Sequence, residues 1–124
     1  MTLQNSYITI DNLRLYARHG VMEQERRVGA DFCVSIRVHY NICKAMESDN
    51  VDDTISYAEL CSIVKEQMAI PSKLLEHAAG RICNAIFDKY PQADSIWLRL
   101  TKLNPPMGAD CDGASVEIEV GSDE

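Results

Sequence analysis

Apolar positions along the chain fall into two periods. From residue 30 to 40, Phe32, Val34, Ile36, Val38 and Tyr40 alternate with Cys33, Ser35, Arg37 and His39. A period of two predicts a strand with one buried face. Residues 6–17 read as a strand too, but the parity changes within them: Ile8 and Ile10 share one phase, while Leu13, Leu15 and Ala17 share the other. One extra residue near Asp11 and Asn12, a β-bulge, would return both sets to the same face. These first two strands are expected to pair antiparallel. Residues 94–101 form a third run, with Ile96, Leu98 and Leu100 against Trp97, Arg99 and Thr101. Residues 114–120 form a fourth, with Ala114, Val116, Ile118 and Val120 against Ser115, Glu117 and Glu119.

Between the second and third runs the period lengthens to that of a helix. Ser56, with Glu59 three residues on, predicts a capping box, followed by Leu60, Ile63, Val64 and Met68 at helical spacing. Tyr57 would be the first helical residue and, taken alone, reads as packing at the helix start. Pro71 and Ser72 open a second helix with Ser72 as N-cap, and Leu75, Ala78, Ala79, Ile82, Ala85 and Ile86 make its stripe. Glu76 in its first turn suits the helix dipole, and His77 reads as a surface residue. Pro91 stops the helix. The order ββααββ predicts an α+β fold: one antiparallel four-stranded sheet with two helices on one face, in a single domain spanning residues 1–124. Its two open edges predict self-association. Residues 18–29 exceed the usual hairpin loop of ~2–5 residues; their charges read as solvated, or as a place for function. Residues 41–51 read as a polar connector.

Composition narrows the possible functions. The 124 residues carry a net charge of −7, which argues against nucleic acid as a partner. The five cysteines are odd in number and lack C-x-x-C spacing, so neither a disulfide framework nor a zinc site is predicted. Reduced thiols, an N-terminus without the pattern of a signal peptide, and no apolar run near the ~18 residues of a membrane span predict a cytoplasmic protein without a membrane partner. Nucleotide-binding glycine loops, H-E-x-x-H and G-x-S-x-G are absent, and His19, His39 and His77 lack metal spacing.

Candidate chemistry gathers at the ends of elements. Continuing the parity of the third strand places Lys102 on the apolar side. Either the strand stops at Thr101 and the amine snorkels to solvent, or Lys102 points into a cleft at the sheet's end. Glu25, Tyr57 and Glu76 also sit at element ends. A carboxylate, a phenol and an amine can serve acid–base chemistry or simply lie on the surface.

Taken together, four short motifs carry a resemblance. They are His19-Gly20-Val21 with Glu25; Asp49-Asn50 through Asp53-Thr54-Ile55-Ser56-Tyr57; Leu74-Leu75-Glu76-His77; and Thr101-Lys102 with Asn104-Pro105-Pro106 and Asp112-Gly113. The chain resembles the dihydroneopterin aldolases of folate synthesis over nearly its whole length. The resemblance implies a tunnelling fold, in which subunits pair edge strands into barrel rings of four that stack as a homo-octamer, with sites between adjacent subunits. It implies a lyase that splits 7,8-dihydroneopterin into 6-hydroxymethyl-7,8-dihydropterin and glycolaldehyde, with C2′ epimerisation in many members, and that uses no metal, Schiff base or other cofactor. Lys102 would be the principal acid/base, with Tyr57 sharing in proton transfer and stacking on the pterin. Glu25 would hold the side-chain hydroxyls. Glu76 and the backbone of Leu75 and Ile55 would hold the ring edge. Many members carry Lys-Pro directly; here Leu103 and Asn104 intervene. Two alternatives are a dihydroneopterin triphosphate epimerase, for which Arg26 and Arg27 would have to meet the phosphates, and a non-catalytic ring that binds pterins or purines.

Overall fold

The computed structural model describes residues 1–123. Strands β1 (Tyr7–Ala17), β2 (Ala30–His39), β3 (Ser95–Leu103) and β4 (Gly113–Gly121) pair antiparallel in the order β1-β2-β3-β4, so β1 and β4 form the edges. The expected bulge is present. Ile10 pairs with Ile36 but Leu13 with Val34, so β1 contains one residue more than β2 over that interval. All of Ile8, Ile10, Leu13 and Leu15 therefore pack against the core. Asn12 takes a left-handed backbone at the bulge (φ 55°), a conformation asparagine tolerates, and its N–H donates to the Ser35 hydroxyl at 2.9 Å.

Helices α3 (Tyr57–Met68) and α4 (Leu75–Lys89) cover the apolar face. Leu60, Val64 and Met68 from α3, and Ala78, Ala79, Ile82 and Ile86 from α4, share one core with Phe32, Val34, Ile36 and Val38 of β2 and Ile96, Leu98 and Leu100 of β3. Truncating one of the large members to alanine would cost about 2–5 kcal/mol. The opposite face of the sheet carries Arg37 between the rings of Tyr7 and Trp97, 5.6 and 5.5 Å from their centroids.

Five local expectations change. The loop after β1 contains a short helix, α1 (Glu23–Val28), and the polar connector contains another, α2 (Cys43–Ser48), followed by a 3-10 turn at Val51–Asp53. Neither α1 nor α2 buries a residue, so neither leaves an apolar stripe in the sequence. Helix α4 begins at Leu75, not at Ser72, and Leu74 at its N-cap makes no side-chain cap. Ser72 is instead bridged to His19 as a short parallel pair. The capping box at α3 is half made: the Ser56 hydroxyl accepts the Glu59 N–H at 3.4 Å, while the Glu59 carboxylate accepts the Tyr90 hydroxyl. Tyr57 does not pack at the helix start; it is 71% exposed. First-turn side chains lean toward the helix N-terminus, which carries Tyr57 past the cover of the sheet. Among the described residues, no helix is long and apolar enough to cross a membrane.

Candidate active site

Strand β3 continues through Leu103, and its parity carries Lys102 inward. Lys102 sits opposite Phe32 on β2 and Ala114 on β4, and is 8% exposed. A buried ammonium needs partners, and two are in place: Nζ donates to Glu25 Oε2 at 2.5 Å and to the His19 carbonyl at 3.0 Å. The Phe32 ring lies 5.7 Å from Nζ. Strand β4 can pass this point only with a glycine. A Cβ on Gly113 would lie 2.8 Å from Thr101 Cγ2 and 2.9 Å from the Lys102 carbonyl oxygen.

Glu25 reaches Lys102 from α1, and both its oxygens are engaged. Oε1 accepts the Met22 N–H at 3.2 Å, closing the helix N-terminus, while Oε2 takes the ammonium. The lysine contact, ahead of the other causes, holds the Glu25 carboxyl below the usual carboxylate range, against an opposing pull from burial. Arg26 donates to the Gly20 and Val21 carbonyls at 2.8 Å each, and Arg27 pairs with Glu23 at 3.0 Å. The Tyr16 hydroxyl and the Arg18 guanidinium cap the last carbonyls of α1, at Val28 and Arg27. A charged loop thus becomes an anchored helix. Gly20 is required beneath it, because a Cβ there would fall 2.4 Å from Glu25 Cβ.

Behind Lys102 lies a polar cluster that sequence reasoning missed. His19 is 1% exposed, and its Nδ1 accepts the Ser72 N–H at 3.1 Å. The Gly20 N–H donates to the Ser72 carbonyl at 2.9 Å. Arg81 donates to the Ser72 hydroxyl at 2.8 Å, to the Gln67 and Ile70 carbonyls at 2.7 and 2.8 Å, and to His77 Nδ1 at 3.3 Å. Burial, more than the charges of Arg81 and Lys102, lowers the His19 pKa to about 4. The ring is therefore neutral, with its proton on Nε2. That atom has no hydrogen-bond partner, and the Met68 backbone acts on the ring only in the opposite direction to burial, raising its pKa. Arg81 gave no advance signal, because it shares its flank of α4 with His77 and Asn84 and reads as a solvated charge.

A pocket of about 350 Å³ opens beside Lys102, lined by Met22, Glu25, Gly29, Asn104 and Pro106 among others. Asn104 turns the chain in the left-handed region (φ 51°) directly after β3, which accommodates the two residues between Lys102 and Pro105. Glu25 and Lys102 are thus brought together. The other sequence candidates lie elsewhere: Glu76 is exposed and lines a groove with His77, Gly80, Arg81 and Asn84; Leu75 beside it is half-buried; Ile55 is buried; and Tyr57 is exposed. Because no side chain caps α4, its first-turn N–H groups stand next to the Glu76 carboxylate, a set of donors and acceptors at one helix end. Among the described residues no cluster of three His, Cys, Asp or Glu side chains could hold a metal.

Residues 8–119 match the model of the family described as FolB, dihydroneopterin aldolase. A dihydroneopterin aldolase of Staphylococcus epidermidis is 36% identical over 92% of this chain and 95% of its own. The chain belongs to the dihydroneopterin aldolase family. Two solved members share the fold. The E. coli dihydroneopterin aldolase in complex with neopterin superposes with a TM-score of 0.85, at 23% identity, over 94% of this chain and 99% of its own. The Burkholderia thailendensis dihydroneopterin aldolase bound to guanine gives 0.77, at 14% identity, over 96% and 93%. The family is one of lyases in folate biosynthesis, which is the class the four motifs implied.

Proposed function

We propose that this protein cleaves 7,8-dihydroneopterin by retro-aldol chemistry, releasing glycolaldehyde, with Lys102 as the acid/base. The observation that carries the reading is the placement of Lys102: an amine held at the buried end of β3, facing a pocket, in a chain of this family. The chemistry asks little else of the protein. Breaking the C1′–C2′ bond leaves an electron pair on C1′, and the adjacent C6=N5 imine accepts it as N5 is protonated. The substrate carries its own electron sink, so neither a metal nor a Schiff base is needed. The protein has to orient the ring, take a proton from the 2′-hydroxyl and deliver protons to N5 and C1′.

Glu76 would take the pterin 2-amino group and N3–H in a carboxylate fork, with the backbone of Leu75 and Ile55 along the ring edge and Tyr57 over its face. Glu25 would hold the side-chain hydroxyls. Because Tyr57 does not line the Lys102 pocket of its own chain and stands exposed, the reading takes it from a neighbouring copy, which completes each site. The open edges at β1 and β4 supply the means: rings of four, stacked as an octamer, in the cytoplasm. The exposed Tyr57 fits this arrangement, since a phenol uncovered in one chain is free to reach a neighbour's ligand. The triphosphate alternative is disfavoured, because Arg26 and Arg27 are engaged within the α1 region.

The test is direct. The purified protein should release glycolaldehyde from 7,8-dihydroneopterin, and Lys102→Ala should lose nearly all of that turnover while still binding the pterin product. A protein that binds pterin but releases no glycolaldehyde would leave the non-catalytic ring in its place. Preference for the triphosphate would restore the epimerase reading.

A further inference from the structure

The His19–Gly20 peptide is held from both sides. Its carbonyl accepts Lys102 Nζ at 3.0 Å, and its N–H, on the opposite edge of the same planar unit, donates to the Ser72 carbonyl at 2.9 Å. The Ser72 N–H returns to His19 Nδ1 at 3.1 Å, so residues 19–20 and 72 form a closed loop of backbone and imidazole. Arg81 fixes that loop in turn through the Ser72 hydroxyl, itself anchored on the Gln67 and Ile70 carbonyls at the end of α3.

An ammonium has three N–H donors in tetrahedral array. With the Glu25 contact alone, Nζ could swing about that one bond. A second fixed acceptor, the His19 carbonyl, removes the swing and leaves one N–H with a single direction. We propose that His19 is a positioning residue for Lys102: by accepting the Ser72 N–H it holds the 19–20 peptide, whose carbonyl aims the remaining N–H of Lys102. Only the Nδ1 acceptor is required of the ring. The proposal rests on the assignment of Lys102 as the acid/base above.

His19→Phe keeps the packing against Phe32, whose ring lies 5.2 Å from that of His19, but loses the acceptor. It should lower kcat by about 10- to 100-fold, the range a displacement near 1 Å produces, while KM and pterin product affinity stay within about 2-fold. His19→Asn returns an acceptor near the Nδ1 position and should recover most of kcat. Should His19→Phe fail to fold, His19→Ala supplies the measurement. Its cavity should be rescued by added imidazole and not by pyrrole, which has the shape without the acceptor. Unchanged kcat in His19→Phe overturns the proposal, as does an equal loss of product affinity, or rescue by pyrrole as strong as by imidazole. Lys102→Met, run in parallel, separates the two layers. If it retains turnover, the assignment of Lys102 fails; if it is inactive while His19→Phe is not impaired, only the positioning role fails.

Discussion

Acidification should destabilise this protein through His19, and the size of the effect follows from its burial. The imidazole is 1% exposed, and its pKa falls from 6.5 to about 4, with burial the leading cause. In the unfolded chain the ring takes a proton near pH ~6.5. Between about pH 6.5 and 4 the unfolded state therefore holds the extra proton, and stability rises with pH. The His19 contribution is complete above about 6.5, falls across the window, and levels off below the folded value. A gap of ~2.5 units at ~1.4 kcal/mol per unit is worth ~3 kcal/mol, a large share of the ~5–15 kcal/mol by which domains are stable. Urea unfolding from about pH 7 down to about pH 4.5 would measure it, at one protein concentration because assembly adds its own term. His19→Asn keeps an acceptor for Ser72 but cannot titrate, so its stability should change much less across that range. His39 and His77 are present in both chains and cancel. Identical pH slopes for the two proteins would refute the argument.

Three other substitutions test neighbouring parts of the site. Glu25→Gln keeps an acceptor for Lys102 but removes the charge; with side chains 10% and 20% exposed, the pair lies between buried and surface cases, and unfolding should show a loss of about 1–2 kcal/mol at neutral pH. Because the Glu25 pKa is depressed in the fold, that difference is present above the unfolded value near pH ~4.5 and should shrink as pH falls below it. Gly20→Ala drives a methyl into Glu25, with contacts of 2.7 and 2.8 Å to Cδ and Oε2, so it should cost about 1–3 kcal/mol and depress turnover by moving the carboxylate off Lys102. Arg81→Met should destabilise by about 2–4 kcal/mol, because the α3 carbonyls lose a charged donor; since the Arg81 charge helps lower the His19 pKa, the acid limb should also move to higher pH, visible in the imidazole titration by NMR.

The sheet was legible because its signal is local. A period of two fixes which residues of β2 and β3 face the core, and the phase change in β1 locates the bulge within two residues of its position. The helical stripes were legible for the same reason. What escaped was held by contacts with no local period. Helix α1 buries nothing, and its caps come from Tyr16 and Arg18 on the preceding segment. Ser72 was read as a cap because it precedes an apolar stripe, but it is claimed by His19, 53 positions away. His19 itself gave no signal of burial, since its neighbours are Arg18 and Gly20.

Lys102 shows where the two kinds of information meet. Strand parity placed Lys102 on the inner face without showing whether the strand reached that far. The structure extends β3 past it and supplies acceptors from residues 83 and 77 positions earlier in the chain, His19 and Glu25. Those partners make the inward position tolerable, since an ammonium with two acceptors need not snorkel. The same partners limit what one chain can do alone. Glu25 occupies the amine, and the exposed Tyr57 does not line its pocket. A substrate with its hydroxyls at Glu25 and Lys102 would then need the Tyr57 phenol of another copy to close over it. The open edges of the sheet and the uncovered phenol of Tyr57 are then parts of one requirement: assembly should precede turnover, and subunits kept apart by dilution should lose activity faster than they lose fold.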